Sequence, residues 1–263
     1  MSEVSVVHLI WAPLGIEPLE RFARSYRAHP AGTEHSLLLV FKEFGDQDAL
    51  AAAREVVADI PHDELHMPHR KLDLAAYVQV AGDTDAEYLY FLNSNSELLA
   101  PDWLSHPLQH LRGGGVGMVS ATGSHESLVD PTSLVSRLLR GRSFDRFPNP
   151  HLRTNAFAMP SALAGSLSWP QVRTKRGAWG LESGRGSITR QVWQRDLEAL
   201  VVGRDGQAYE RDRWFESATY RNGDQPNLLV ADNRTRQFAE ADPAERRRLA
   251  ELAWGDSSGA VLP

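Results

Sequence analysis

Apolar residues along this chain alternate between two rhythms. Residues 4–10 (VSVVHLI) form a run rich in β-branched side chains, which predicts a strand buried on both faces. The run breaks at Trp11, Ala12, Pro13, Leu14 and Gly15, a turn-forming loop. Leu19, Phe22, Ala23 and Tyr26 then recur at the spacing of an amphipathic helix, predicted over residues 17–28. The cycle repeats with a buried strand over 35–41, a break at Lys42, Glu43, Phe44 and Gly45, and a helix over 46–58. Leu72, Ala75, Ala76 and Val80 predict a short helix over 71–81, leading into Tyr88, Leu89, Tyr90, Phe91 and Leu92. Pro101 and Asp102 suit the first turn of a further helix, which ends at Arg112 before three glycines. A strand over 116–121 and a turn at Gly123 and Ser124 follow. From 128 to 150 the pattern weakens, and Pro131, Pro148, Pro150 and scattered arginines predict an irregular or mobile segment. Strands are predicted over 151–159 and 197–203, with a helix over 187–195 between them. A short apolar run over 227–231 is broken by Asp232, Asn233, Arg234 and Thr235. The last helix, over 242–254, has Asp242 as its cap and Pro243 in its first position.

Buried strands alternating with helices imply an α/β protein whose central sheet is mostly parallel and flanked by helices. No repeat or shift of composition marks a linker, so residues 1–263 read as a single domain. At 263 residues the chain is long enough for a well-buried core. It has no apolar run of about 18 residues, so no membrane-spanning helix is expected. Its first residues lack the basic and apolar regions of a secretory signal, and it has no cysteine; both fit a cytoplasmic location. A net charge of −6 argues against a general nucleic-acid binder, but not against one basic pocket for a phosphate.

The candidate chemistry centres on residues 88–104. A strand of five large apolar residues ends abruptly in Asn93, Ser94, Asn95, Ser96 and Glu97, and open α/β sheets hold ligands at such strand ends. The stretch resembles the "apolar strand, Asp-x-Asp, Leu-x-Pro-x-Trp-Leu" segment of family 2 glycosyltransferases, which have the GT-A (Rossmann-like) fold. Asn93 and Asn95 stand where that family usually has aspartates. The resemblance runs from about residue 4 to 206. It implies a nucleotide-binding part over about 1–125 and an acceptor-side part over about 126–263. It also implies that Trp11, Ala12, Pro13, Lys42 and Glu43 clasp the nucleoside, with Asp73 touching it again. Ala178, Trp179, Gly180, Leu181, Glu182, Ser183 and Gly184 are similar to the family's "Gly-x-Glu-Asp" element, with Ser183 replacing the second acid. By that likeness Glu182 is the catalytic base, and Trp179 and Ser183 meet the acceptor. Arg190 and Trp193 match a charge and an aromatic common in members.

The implied activity is inverting transfer of a hexosyl group from a UDP-, GDP- or dTDP-linked sugar. The acceptor would be a glycan or lipid-linked saccharide, as in polysaccharide or glycoconjugate biosynthesis, with peripheral membrane association one possibility. Inverting transfer needs a base at the acceptor hydroxyl and positive charge at the departing diphosphate. In the family a divalent metal, Mn2+ or Mg2+, on the aspartate pair supplies that charge. Here Asn93, Ser94 and Asn95 would hold the diphosphate, and Asn95 offers a metal only a neutral oxygen. Glu97 helps a metal only if the loop turns it inward. The alternative is an arginine clamp, with Arg153 the first candidate and Arg185 behind it.

The rival from another class is a binding or assembly protein on the same scaffold, favoured by the two asparagines and Ser183. Arg137, Arg140, Arg142 and Arg146 read as a solvated face or a contact for an anionic glycan or membrane surface. His62 and His66 resemble a zinc-peptidase pair. However, Asp63 follows the first histidine where that motif needs glutamate, and Pro61 and Pro68 leave barely a turn and a half of helix. Gly255, Asp256, Ser257, Ser258 and Gly259 resemble a serine-protease loop without the chain needed behind it, and read as a frayed tail. The run from Gly113 to Gly117 lacks the lysine and hydroxyl of a phosphate loop.

Overall fold

Strands form where β-branched and aromatic residues cluster, and helices where apolar residues return every three or four positions. The computed structural model describes residues 2–67, 77, 80–82, 84–129, 140–169 and 175–256. The chain runs β1 (Val4–Trp11), α1 (Glu17–Ala28), β2 (Ser36–Lys42), α2 (Gln47–Val56), β3 (Asp63–Met67), β4 (Tyr88–Leu92) and β5 (Glu97–Leu98). It continues through α3 (Ser105–Arg112), β6 (Val116–Ser120), β7 (Gly123–Ser124), β8 (His151–Leu152), β9 (Ala156–Pro160) and α4 (Ser161–Ser166). The remainder is α5 (Lys175–Ser183), α6 (Ile188–Trp193), β10 (Glu198–Val202), β11 (Ala208–Tyr209), β12 (Val230–Ala231), α7 (Asn233–Glu240) and α8 (Pro243–Trp254).

Eight strands form one sheet in the order β11-β10-β6-β9-β4-β1-β2-β3. Parallel pairing joins β4 to β1, β1 to β2, β2 to β3, and β6 to β10. Strand β9 lies antiparallel between β4 and β6. That reversal positions the site: the entry to β9 meets the exits of β4 and β6 at one end of the central strands.

All five side chains of β4 are buried, and they divide by the two-residue period of a strand. Tyr88, Tyr90 and Leu92 pack with Leu19 and Phe22 of α1, Leu108 of α3, and Trp103. Leu89 and Phe91 pack with Phe157 of β9, Leu181 of α5, Val192 of α6 and Trp254 of α8. Each such residue contributes about 1.5–3 kcal/mol by leaving water, so the most apolar stretch of the sequence becomes the centre of both cores.

Several expectations are corrected. Residues 63–67 form edge strand β3, not a turn of helix: Leu65 and Met67 point inward while Asp63, Glu64 and His66 are exposed. A charged outer row suits an edge, because it discourages further strand pairing. Pro101 and Asp102 do not begin a helix, which starts only at Ser105. Asp102 has φ +60° and donates its N–H to the Pro30 carbonyl at 2.8 Å. This tight turn drops Trp103 fully into the core, where its indole N–H donates to the His29 carbonyl at 2.9 Å. The strand expected over 151–159 is split into β8 and β9, separated by Arg153, Thr154 and Asn155. Asp232 ends only a two-residue strand and then opens helix α7. Of the helix expected over 71–81, Tyr77, Val80 and Ala81 are helical and buried, while Asp73 lies outside the described residues. In the stretch 128–150, Pro131 and Arg137 also lie outside them. Phe144 makes an isolated bridge to Gly184, and Arg140, Arg142 and Arg146 are exposed. Ser257, Ser258 and Gly259 fall outside the described residues as well.

One buried group makes the fold sensitive to acid. His8 on β1 is fully buried and stacks on Phe22 with ring centroids 3.7 Å apart. Neither ring nitrogen has a hydrogen-bond partner among the described residues. Burial lowers its pKa to about 3. Below the unfolded value of about 6.5 the unfolded chain takes up a proton that the folded chain refuses, so stability falls as pH drops from 6.5 towards 3. Urea denaturation should show a His8 contribution of about 3 kcal/mol lost between pH 6.5 and 4. His8→Leu should flatten that part of the profile.

Candidate functional site

The break after β4 is a hydrogen-bonded turn. The Asn93 side-chain oxygen accepts from the Asn95 N–H at 2.9 Å and the Ser96 hydroxyl at 3.2 Å, a side chain imitating a backbone turn. The Asn93 N–H donates to the Asn155 carbonyl at 2.9 Å, fastening the loop to the entry of β9. Asn93 and Asn95 are half-buried and Ser94 is buried. A second anchor comes from α7, where Arg236 donates to the Asn95 carbonyl at 3.0 Å and pairs with Glu97 at 3.2 Å. Beside it, β5 pairs with β12, placing Glu97 opposite Ala231.

Glu182 lies on α5 and reaches the same junction. Its Oε2 accepts from the Thr154 N–H at 3.0 Å and the Thr154 hydroxyl at 2.6 Å, while Oε1 has no partner among the described residues. The carboxylate opens into a recess of about 100 Å³ lined by Ser124, His151, Arg153, Trp179, Ser183, Tyr220 and Arg234, among others. One water needs about 10–15 Å³, so the recess has room for a ligand group. Trp179 stands at it with 42% of its surface exposed. The Ser183 hydroxyl donates to the Trp179 carbonyl at 3.2 Å. His151 is buried, which lowers its pKa. Its Nδ1 lies 2.8 Å from the Asn149 carbonyl, so the neutral ring carries its proton there and leaves Nε2 as an acceptor.

Arg153 is buried against Asp232 at 2.6 Å, with its guanidinium 4.3 Å from the Tyr220 ring centre. Burial opposes the charge on Arg153, but Asp232, Tyr220 and Glu182 outweigh it and raise the pKa. Burial likewise opposes ionisation of Asp232, yet Arg153 and the amides of Thr235 and Arg234 lower its pKa overall. Asp232 Oδ1 accepts from those two amides at 2.9 Å each, and the Thr235 hydroxyl lies 2.8 Å from the Asp232 N–H in a capping box. The charge proposed as a phosphate clamp is therefore already matched. Arg185 is matched too, with Asp145 at 2.9 Å, and Arg190 meets the same aspartate at 2.8 Å.

The nucleoside-side candidates gather at the ends of β1 and β2. Lys42 is buried, with its ammonium 5.0 Å from the Trp11 ring centre and 3.4 Å from the Glu43 carboxylate. Ala12 and Pro13 form a short 3-10 turn beside them, and Glu43 has φ +61°. Asp73 remains outside the described residues.

Among the described residues, the donor set near Asn95 does not fit a divalent cation. The Asn93 oxygen is engaged in its own turn, and Glu97 is held by Arg236 with Arg21 at 4.0 Å. Among the described residues no group of three or more histidines and carboxylates is placed to hold a metal, His62 and His66 included. Sequence reasoning missed Asp232, Tyr220, His151 and Arg234. The one available signal was a capping residue at Asp232 followed by a hydroxyl three residues on.

No protein-family model and no curated protein matches the sequence. Among solved structures, the fold is similar to the mannosyltransferase PcManGT from Pyrobaculum calidifontis in complex with GDP-Man and Mn2+. The TM-score is 0.51 at 13% identity, over 82% of this chain and 59% of that one. A 4-diphosphocytidyl-2C-methyl-D-erythritol synthase from Anaerococcus prevotii gives a TM-score of 0.49 at 12% identity, over 76% of this chain and 88% of that one. The chain thus spans 59% of the mannosyltransferase's length, and the likeness establishes a GT-A-like, Rossmann-type α/β fold. No helix among the described residues is long and apolar enough to cross a membrane.

Removing one partner of the buried pair strands the other charge. Arg153→Met should destabilise the fold by about 3–5 kcal/mol, read by urea denaturation at neutral pH.

Proposed function

We propose that the protein is an inverting glycosyltransferase that moves a hexosyl group from a nucleotide sugar to a saccharide hydroxyl. The observation that carries this reading is the carboxylate of Glu182, a residue that lines the recess: Thr154 anchors one oxygen, and the other has no partner among the described residues. A general base must be held still while keeping a lone pair towards its substrate, and this arrangement meets both demands. In the proposed reaction the acceptor oxygen forms a bond to the anomeric carbon as its proton passes to Glu182. The bond from that carbon to the phosphate oxygen breaks, and its electron pair leaves with the nucleoside diphosphate.

The remaining roles are part of the same proposal. Trp11, Ala12, Pro13, Glu43 and Asp73 hold the nucleoside of a UDP-, GDP- or dTDP-linked sugar, within a nucleotide-binding part over about 1–125. Asn93, Ser94 and Asn95 meet the diphosphate, and Arg153 shapes the recess from its buried position. Trp179 offers an apolar face to a sugar ring and Ser183 stands beside it, in an acceptor-side part over about 126–263. The acceptor is a glycan or lipid-linked saccharide, met in the cytoplasm or at a membrane surface, in polysaccharide or glycoconjugate assembly.

The second reading, a non-catalytic binding protein on this fold, is favoured by the engagement of the Asn93 side chain in its own turn. A nucleotide-stability screen tests the donor site: one nucleoside diphosphate at 100 times its Kd should stabilise the fold by about 2.7 kcal/mol. Activity separates the two readings. Glu182→Gln should lower kcat by roughly 10²–10⁴ while leaving nucleotide binding unchanged. A variant with wild-type turnover removes Glu182 from the role of base.

A further inference from the structure

We infer that the guanidinium of Arg234, and not a divalent cation, neutralises the diphosphate of the donor at this site. The inference rests on the proposed transferase reading and adds to it the group that meets the leaving-group charge. Carboxylates facing a diphosphate repel it unless a cation lies between them. The amides of Asn93 and Asn95 carry no such charge and need no such cation. The described residues around them offer a divalent metal no free carboxylate: Glu97 is held between Arg236 and Arg21. The charge that builds up on a departing diphosphate still has to be met.

The arginines around the recess identify the group that is left to meet it. Arg153 is matched by Asp232, Arg221 lies 3.2 Å from Glu126, and Arg185 and Arg190 share Asp145. Arg234 is exposed and lines the recess with Glu182, yet its side chain has no hydrogen bond or ion pair among the described residues. Its backbone is fixed all the same. The Arg234 N–H is bound to Asp232, which is itself buried against Arg153. The Arg234 and Thr235 amides in the first turn of α7 are likewise taken up by the Asp232 cap, so the charge this turn offers an anion is chiefly that of the Arg234 side chain. On the same turn, Asn233 shares a second groove with Asn95, so α7 bridges the amide loop and the Glu182 recess. A planar fork of donors with a permanent charge is the side chain best suited to two phosphate oxygens.

The test is calorimetric titration of the full chain with UDP, GDP and dTDP and with the matching nucleosides, in EDTA and again in Mn2+ or Mg2+. The wild type should bind one diphosphate with the same Kd, within about twofold, in both conditions. Arg234→Ala should weaken that binding at least tenfold and leave the nucleoside's Kd unchanged; Arg234→Lys, which keeps the charge but not the fork, should fall between. Both variants should melt at the wild-type temperature, since the side chain has no partner to lose. Diphosphate binding that requires the metal, or that survives Arg234→Ala intact, overturns the inference and leaves the transferase reading standing. If no nucleoside or diphosphate binds in any condition, both readings fall together.

Discussion

The buried pair of Arg153 and Asp232 fixes the geometry on which the candidate site depends. These residues lie 79 positions apart in sequence, and their contact binds the entry of β9 to the start of α7. Taking two charges out of water is costly, and the arrangement stands because each ion has further partners. Tyr220 lies against the guanidinium, while two backbone amides and a reciprocal hydroxyl complete the aspartate. Such a pair tolerates little displacement, so the segments that carry it are held in register. One of them continues into Thr154, the partner of Glu182, and the other presents Arg234 and Arg236. The segment that holds the catalytic candidate and the helix that carries Arg234 and Arg236 are thus tied together by one buried ion pair.

Much of the fold was legible because burial writes a strong pattern. The runs that became β1, β2 and β4 are short, largely apolar and rich in β-branched or aromatic residues, and their length and flanking breaks favour buried strands over helix segments. Helix α1 declared itself through its apolar spacing and α8 through its cap, where Asp242 accepts from two first-turn amides; Asp46 caps α2 through the Asp48 amide. The edge strand β3 was hidden because an edge has only half a buried face, leaving two apolar residues among charges. The turn at Asp102 was hidden for another reason. A left-handed residue there is imposed by the distant Pro30 carbonyl and the need to bury Trp103, and local propensity carries no trace of either.

The site divides along the same line. Residue types at the ends of buried strands were readable, and Glu182, Trp179, Ser183 and Arg153 do line one recess. Their pairing was not readable. Whether an arginine is free or matched depends on which carboxylate folding brings to it, and Asp232 arrives from a segment with no motif. Asn93 and Asn95 illustrate the converse. Their identity was plain, but the Asn93 carbonyl oxygen closes its own loop, so the same residue is both a turn element and part of a candidate binding surface. Local hydrogen-bond demand and ligand demand compete for the same few atoms.

Thr154 and Asn155 are neighbours in the chain, and they answer to different halves of the centre. One holds the Glu182 carboxylate and the other, through its carbonyl, holds the Asn93 loop. A trans peptide is planar and separates its α-carbons by about 3.8 Å, with almost no give. The two halves are therefore gauged against each other by a single stiff link, like jaws riveted to one bar. Glu182 and the amide loop thus hang from adjacent attachment points whose separation is set by covalent geometry, before any ligand arrives.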